Sequence, residues 1–194
     1  MFDRKSFIDS SLKESSEIKL EVLRHCLADI NSAADLLVES VRSGGKLMFC
    51  GNGGSAADSQ HIATEFMVRL SHDVKRKAIG AIALTTDSSN PTAGGNDIGF
   101  DNIFARNVEG LGRPGDVLIG ISTSGNSPNI LNALAKAKEM GIKTVGLLGK
   151  TGGKMKHACD ISVCIPSENV QRIQESHITV GHILCEIVER ELGS

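Results

Sequence analysis

Short apolar runs alternate with stretches of helical periodicity from Gly44 to the end of the chain. The runs at residues 46–50, 78–84, 116–121, 143–148 and 161–165 predict five strands. Helices are predicted from the Gly-rich turn after Cys50 to about residue 70, over 100–111, over 130–140 and over about 170–191. Strands separated by helices form βαβ units, which build a parallel sheet covered on both faces. Residues 3–43 differ: they are polar and helical, with no strand signal. There Leu23, Leu27, Ile30, Ala34, Leu37 and Val41 are spaced 4, 3, 4, 3, 4, a seam suited to packing on another helix. That seam serves equally well within the chain or between subunits. The expected fold is α/β, a three-layer sandwich around a five-stranded parallel sheet. Residues 1–194 form one domain, and 3–43 form N-terminal helices that pack in an oligomer.

Ligands bind such sheets beyond the carboxyl ends of the strands, which directs attention to the loops there. The first reads Gly51-Asn52-Gly53-Gly54-Ser55 and leads into a helix. Successive glycines free backbone N–H groups to point at an anion, and the helix start adds partial positive charge. The spacing is neither a dinucleotide fingerprint nor a P-loop. A tight turn needs one or two glycines, so the run favours a ligand loop. The loop after the third strand is Ser122-Thr123-Ser124-Gly125-Asn126-Ser127-Pro128. Pro128 suits the first helical position, which makes Ser127 the N-cap. One cap explains one serine. The other hydroxyls, gathered at a helix N-terminus, suit a phosphate held by neutral donors and the dipole. Asn96 and Asp97, after Gly94-Gly95, read equally as turn residues or as partners for the hydroxyls of a polyol.

His61 and Glu65 stand four apart on the helix after the glycine loop and share a face. They suit acid–base work or Zn²⁺ ligation. Gln174 and His182 lie two turns apart on the last helix, ~12 Å along its axis. They serve one site only by reaching to a common point or by serving different subunits. His25, His72 and His157 sit in polar stretches and are expected at the surface. The five cysteines include no C-x-x-C pair and read as reduced, buried thiols of a cytoplasmic protein. A net charge of −2 argues against a nucleic-acid or membrane-surface partner, and no run approaches the length of a membrane span.

Gly51-Asn52-Gly53-Gly54-Ser55, the run from Gly120 to Ser127, and Arg172-Ile173-Gln174-Glu175 resemble the SIS (sugar isomerase) domain family over nearly the whole chain. The set His61, Glu65, Gln174 and His182 resembles the branch that acts on heptose phosphates. This resemblance implies a flavodoxin-like fold and a cytoplasmic homotetramer with active sites at subunit interfaces. It implies interconversion of sedoheptulose 7-phosphate and D-glycero-D-manno-heptose 7-phosphate, the entry to activated heptose for lipopolysaccharide. Carried over by position, Asn52, Gly53, Gly54, Asn96 and Asp97 contact the sugar. Ser122, Thr123, Ser124 and Ser127 hold its phosphate, with Ser55 nearby. His61, Glu65, Gln174 and His182 match the zinc ligands, one Zn²⁺ per subunit, and Glu65 and Gln174 also reach the substrate. Glu65 and His182 match the acid–base pair. Where some members carry an acid, this chain has Gln171, so a proton-transfer role proposed for that acid does not apply.

Ketose–aldose conversion moves a proton between C1 and C2 through an enediol, which requires a base and an acid. Two rival readings stand beside this one. The first is another SIS enzyme, acting on a pentose or hexose phosphate. The other is a non-catalytic SIS protein that binds a protein such as a replication initiator. Retention of both Glu65 and His182 counts against the latter.

Overall fold

The computed structural model describes residues 2–193. The chain opens with one continuous helix, α1 (Arg4–Arg42), where several N-terminal helices were expected. Asp3 caps it, accepting from the N–H groups of Lys5 and Ser6. The sheet consists of β1 (Leu47–Gly51), β2 (Ala81–Ala83), β3 (Val117–Ser122), β4 (Lys143–Gly149) and β5 (Ile161–Ile165). Its order is β2-β1-β3-β4-β5, and every pairing is parallel. The helices between strands are α2 (Gly54–Met67), α3 (Ser89–Asp97), α4 (Ile103–Leu111), α5 (Pro128–Glu139) and α6 (Met155–Ala158), and α7 (Val170–Leu192) closes the chain.

Strand side chains alternate between faces, and here both faces are buried. Leu47, Phe49, Val117, Ile119, Val145 and Leu147 pack with α1, α2 and α7. Met48, Cys50, Leu118 and Leu148 pack with α4, α5 and Met155 of α6. These are the three expected layers. The five strands appear where the apolar runs predicted them, except that β2 is trimmed to Ala81–Ala83. It is one of the two edge strands, with Ile82 partly exposed.

The N-terminal seam lies slightly off the expected line. α1 turns Val22, Cys26, Ile30, Ala33, Ala34, Leu37 and Val38 inward. Leu23 and Leu27 are 58% and 60% exposed. A straight helix drifts against a 3.5-residue repeat by ~20° per heptad, so a heptad line and a contact line diverge over this length. Ahead of Val22 no α1 residue is buried. That half is held by polar contacts from α7: Arg172 Nη1 donates to the Ser11 carbonyl (2.9 Å), and Ser15 Oγ donates to Glu175 (2.7 Å).

Candidate active site

β1 has β2 on one side and β3 on the other, so strand order reverses between the ends of β1 and β3. Such a switch point opens a crevice in an open α/β sheet. Both singled-out loops start there: β1 ends at Gly51 and β3 at Ser122. Gly53 occupies the N-cap of α2 with φ +56°, and no side chain caps that helix. Only glycine enters this backbone region cheaply. Across the crevice Asn52 and Asn129 exchange side-chain hydrogen bonds of 3.0 and 2.9 Å, tying the loop to α5. A hollow of about 190 Å³ lies beside them, lined in part by Gly53, Thr85, Pro91, Phe100 and Phe104.

The serine loop converges on Ser122, which is buried. Its Oγ lies 3.2 Å from Ser127 Oγ and 3.5 Å from Ser124 Oγ, and it accepts from Gly125 N–H at 3.1 Å. Ser127 is the N-cap residue of α5 and Pro128 follows, as the sequence predicts, yet the Ser127 hydroxyl makes no capping bond. It turns toward Ser122 and leaves the helix start open. Thr123 lies between them, half-buried. A Cβ on Gly125 would stand 1.9 Å from the Gly152 carbonyl oxygen, so the loop after β4 packs directly beneath.

α2 and α7 run side by side in the same direction. Gly54 meets Gln174, Ile62 meets Gly181 and His61 meets His182. Gly181 is the closest approach: a Cβ there would lie 2.5 Å from Ile62 Cδ1. This contact brings the two imidazoles together, Nε2 to Nε2 at 3.0 Å. Glu65 Oε1 lies 3.2 Å from His61 Nε2. The three ligand atoms fall within 4.8 Å of one another. Two imidazole nitrogens and a carboxylate oxygen are a donor set for zinc, and tetrahedral bonds of ~2.0–2.1 Å place neighbouring ligand atoms ~3.3 Å apart. The triad's donor set would suit such an ion, and His61 leaves it accessible, its side chain 48% exposed.

Sequence reasoning passed over Asp58, one turn ahead of His61 on α2. Its Oδ2 is buried without a hydrogen-bond partner among the described residues. Burial raises its carboxyl above the ordinary range, and the His61 and His182 imidazoles pull it back. The unpartnered Asp58 oxygen is a further polar group on the helix that carries His61 and Glu65. The signal was legible as i, i+3 spacing on one helix face.

Other expected residues fall elsewhere. The Gln174 amide sits against Gly54, 2.4 Å from where a Cβ would be, at the glycine-loop end of α7. Within one chain it is thus two turns from His182 and outside the triad. Asn96 and Asp97 do not lie in a loop; they end α3, exposed and hydrogen-bonded to each other at 2.7 Å. Asp97 lines a separate hollow with Asn90, Gly94, Ile98 and Arg106. Ser55 is buried in the first turn of α2. Arg172 and Glu175 pair with each other and dock α1. His177 is buried, and its Nε2 donates to the Leu148 carbonyl at 3.0 Å. Burial lowers its pKa to about 4, so it stays neutral and anchors α7 to β4. His25, His72 and His157 are exposed, as expected. The cysteines are all free; Cys26, Cys50 and Cys185 are buried, and Cys159 and Cys164 only partly so.

Known proteins share this sequence pattern and fold. Residues 12–149 match the SIS domain. The phosphoheptose isomerase of Clostridium acetobutylicum is 52% identical over 190 residues, which span 97% of this chain and 96% of that protein. Among solved structures, the phosphoheptose isomerase of Neisseria gonorrhoeae superposes with a TM-score of 0.90 at 38% identity, covering 97% of this chain and all of that one. That of Francisella tularensis gives 0.92 at 35% identity with the same coverage. The chain belongs to the SIS domain family and, within it, to the phosphoheptose isomerases.

Proposed function

We propose that the chain interconverts sedoheptulose 7-phosphate and D-glycero-D-manno-heptose 7-phosphate, with Glu65 and His182 as its acid–base pair. The observation that carries this reading is the meeting of His61, Glu65 and His182 on α2 and α7, on helices that flank a phosphate-suited crevice. Ser122, Ser124 and Ser127 offer converging hydroxyls, and the uncapped N-terminus of α5 supplies further donors. Phosphate held there orients the sugar and contributes remote binding energy without taking part in the chemistry. Glu65 and His182 divide the two proton transfers, one at carbon and one at oxygen. His61, Glu65 and His182 would hold the Zn²⁺ in each subunit. That ion, when bound, supplies Lewis-acid stabilisation of the developing oxyanion.

The working form is a homotetramer in the cytoplasm, feeding activated heptose synthesis for lipopolysaccharide. Self-association is supported by α1 and α7, which expose Leu23, Leu27 and Ile183 around an apolar groove of about 140 Å³. Exposed apolar area of this kind marks an interaction surface. Among the described residues, no helix is long and apolar enough to cross a membrane.

The test is proton NMR with sedoheptulose 7-phosphate in deuterated water. An aldose anomeric signal with deuterium at C2 supports the reading. Unchanged substrate, with zinc supplied and the oligomer verified by light scattering, defeats it. His182→Asn should abolish turnover and leave fold and assembly intact.

A further inference from the structure

We infer that Arg76, through its buried pair with Glu189, is the positioning residue that holds Glu65 and His182 in register. This rests on the acid–base and metal reading of the triad.

Arg76 lies in the connection from α2 to β2, and Glu189 lies near the end of α7. Their side chains are 3% and 0% exposed. Arg76 Nε donates to Glu189 Oε1 at 2.8 Å, and Nη2 approaches the same oxygen at 2.7 Å. Nη2 also donates to the Glu65 carbonyl at 2.7 Å, and Nη1 donates to the Lys77 carbonyl at 3.0 Å. Glu189 in turn accepts from Leu70 N–H (2.9 Å) and Ser71 N–H (3.0 Å). Each of the three guanidinium nitrogens thus has an acceptor.

The last four carbonyls of a helix lack intrahelical partners. In α2, Thr64 O takes Val68 N–H and Phe66 O takes Ile79 N–H. The carbonyl between them belongs to Glu65, and it takes the guanidinium. A cation there also suits the helix dipole. The backbone behind the Glu65 carboxylate is therefore fixed by the same group that grips α7. Glu189 lies seven residues beyond His182, two turns or ~10 Å along that helix. One planar cation thus ties both helices of the triad at a single point.

Stability alone is a poor reason for such a pair, because well-packed apolar residues often replace a buried ion pair without loss. Geometry is the better reason. Arginine's rigid fork reaches several acceptors at once, whereas a lysine ammonium is a point charge.

The test uses the assembled enzyme with Arg76→Lys, and with the double variant Arg76→Met, Glu189→Leu, which removes both charges. Arg76→Lys keeps the buried charge pair and loses the arm to Glu65. Zinc affinity is read by chelator competition, with kcat, KM and Tm alongside. Arg76→Lys should bind zinc about tenfold more weakly, within the usual range for outer-shell partners. Its kcat should fall while KM stays within about twofold, since the phosphate loop is untouched. The double variant should show the same zinc defect even where its Tm matches wild type. Wild-type zinc affinity and kcat in either variant would overturn the inference. So would losses that follow Tm alone. If wild-type enzyme fails to isomerise the sugar phosphate, the function proposed above falls, and the zinc comparison still decides the role of Arg76.

Discussion

Replacing Gly181 with alanine perturbs the site through a single methyl group. Inside a helix the change favours folding by ~1 kcal/mol. The new Cβ, however, would stand 2.5 Å from Ile62 Cδ1 and 2.8 Å from Cγ1. Carbon atoms pack at ~3.5–4.0 Å, so the helices must separate by ~1 Å or Ile62 must leave its rotamer. Overpacking of this kind costs ~1–3 kcal/mol. The net loss is ~1 kcal/mol, or ~2–4 °C in Tm for a chain of this size. Activity should suffer far more. His182 follows Gly181 directly and meets His61 at 3.0 Å, and ~1 Å of misplacement at a reacting centre costs up to ~100-fold. The assay is kcat for the sugar phosphate, with zinc affinity measured by calorimetry. Ile62→Val in the same background removes the nearest clashing atom and should recover part of both. Turnover and zinc affinity at wild-type levels in Gly181→Ala would refute the idea that this approach sets the triad.

Other outcomes follow from the same geometry. Ser127→Ala should leave urea stability within ~0.5 kcal/mol, below the ~1 kcal/mol of an ordinary N-cap, because the hydroxyl makes no capping bond. It should lower kcat/KM by ~10-fold or more through loss of a charge-assisted hydrogen bond. His177, with its pKa lowered from 6.5 to about 4 by burial, binds its proton only in the unfolded chain between those values. Its contribution is intact above pH 6.5 and declines as pH falls, by about 3 kcal/mol at pH 4. Urea titrations of wild type and His177→Gln at pH 5 and 7 read this, and equal slopes with pH would count against it. Glu65→Gln should abolish exchange of the C2 proton by NMR while substrate still binds. Retained exchange would remove Glu65 from the chemistry.

The strands were legible because both faces of a parallel sheet are buried, so runs such as Val117–Ser122 read as continuous apolar text. The triad was legible in part: i, i+4 spacing paired His61 with Glu65, but nothing local placed His182 beside them. That depends on Gly181 against Ile62, a contact between helices more than a hundred residues apart in sequence. α3 was hidden by its composition. Ser-Asn-Pro-Thr-Ala-Gly-Gly-Asn-Asp reads as turn, and the helix buries no side chain to impose a period. The Asp87 carboxylate starts it by accepting from Ser89 and Asn90 N–H groups. Arg76 and Glu189 carried no sequence signal, since a buried pair is defined only by the fold around it. Ser127 shows the reverse case: its cap position was correct, and the hydroxyl's direction was beyond any pattern.

The first turns of α1 carry Phe7, Ile8 and Leu12 into solvent, and no α1 residue before Val22 is buried. Helical turns that bury no side chain gain little from packing and are marginal in water. Their order is therefore lent by whatever lies against them: Arg172 and Glu175 within the chain and, if the proposed assembly forms, a neighbouring copy. Amide exchange in these turns should slow as protein concentration rises, while exchange in β3 stays fixed. In such an assembly these turns would serve as a gauge of how many partners are present before any substrate is added.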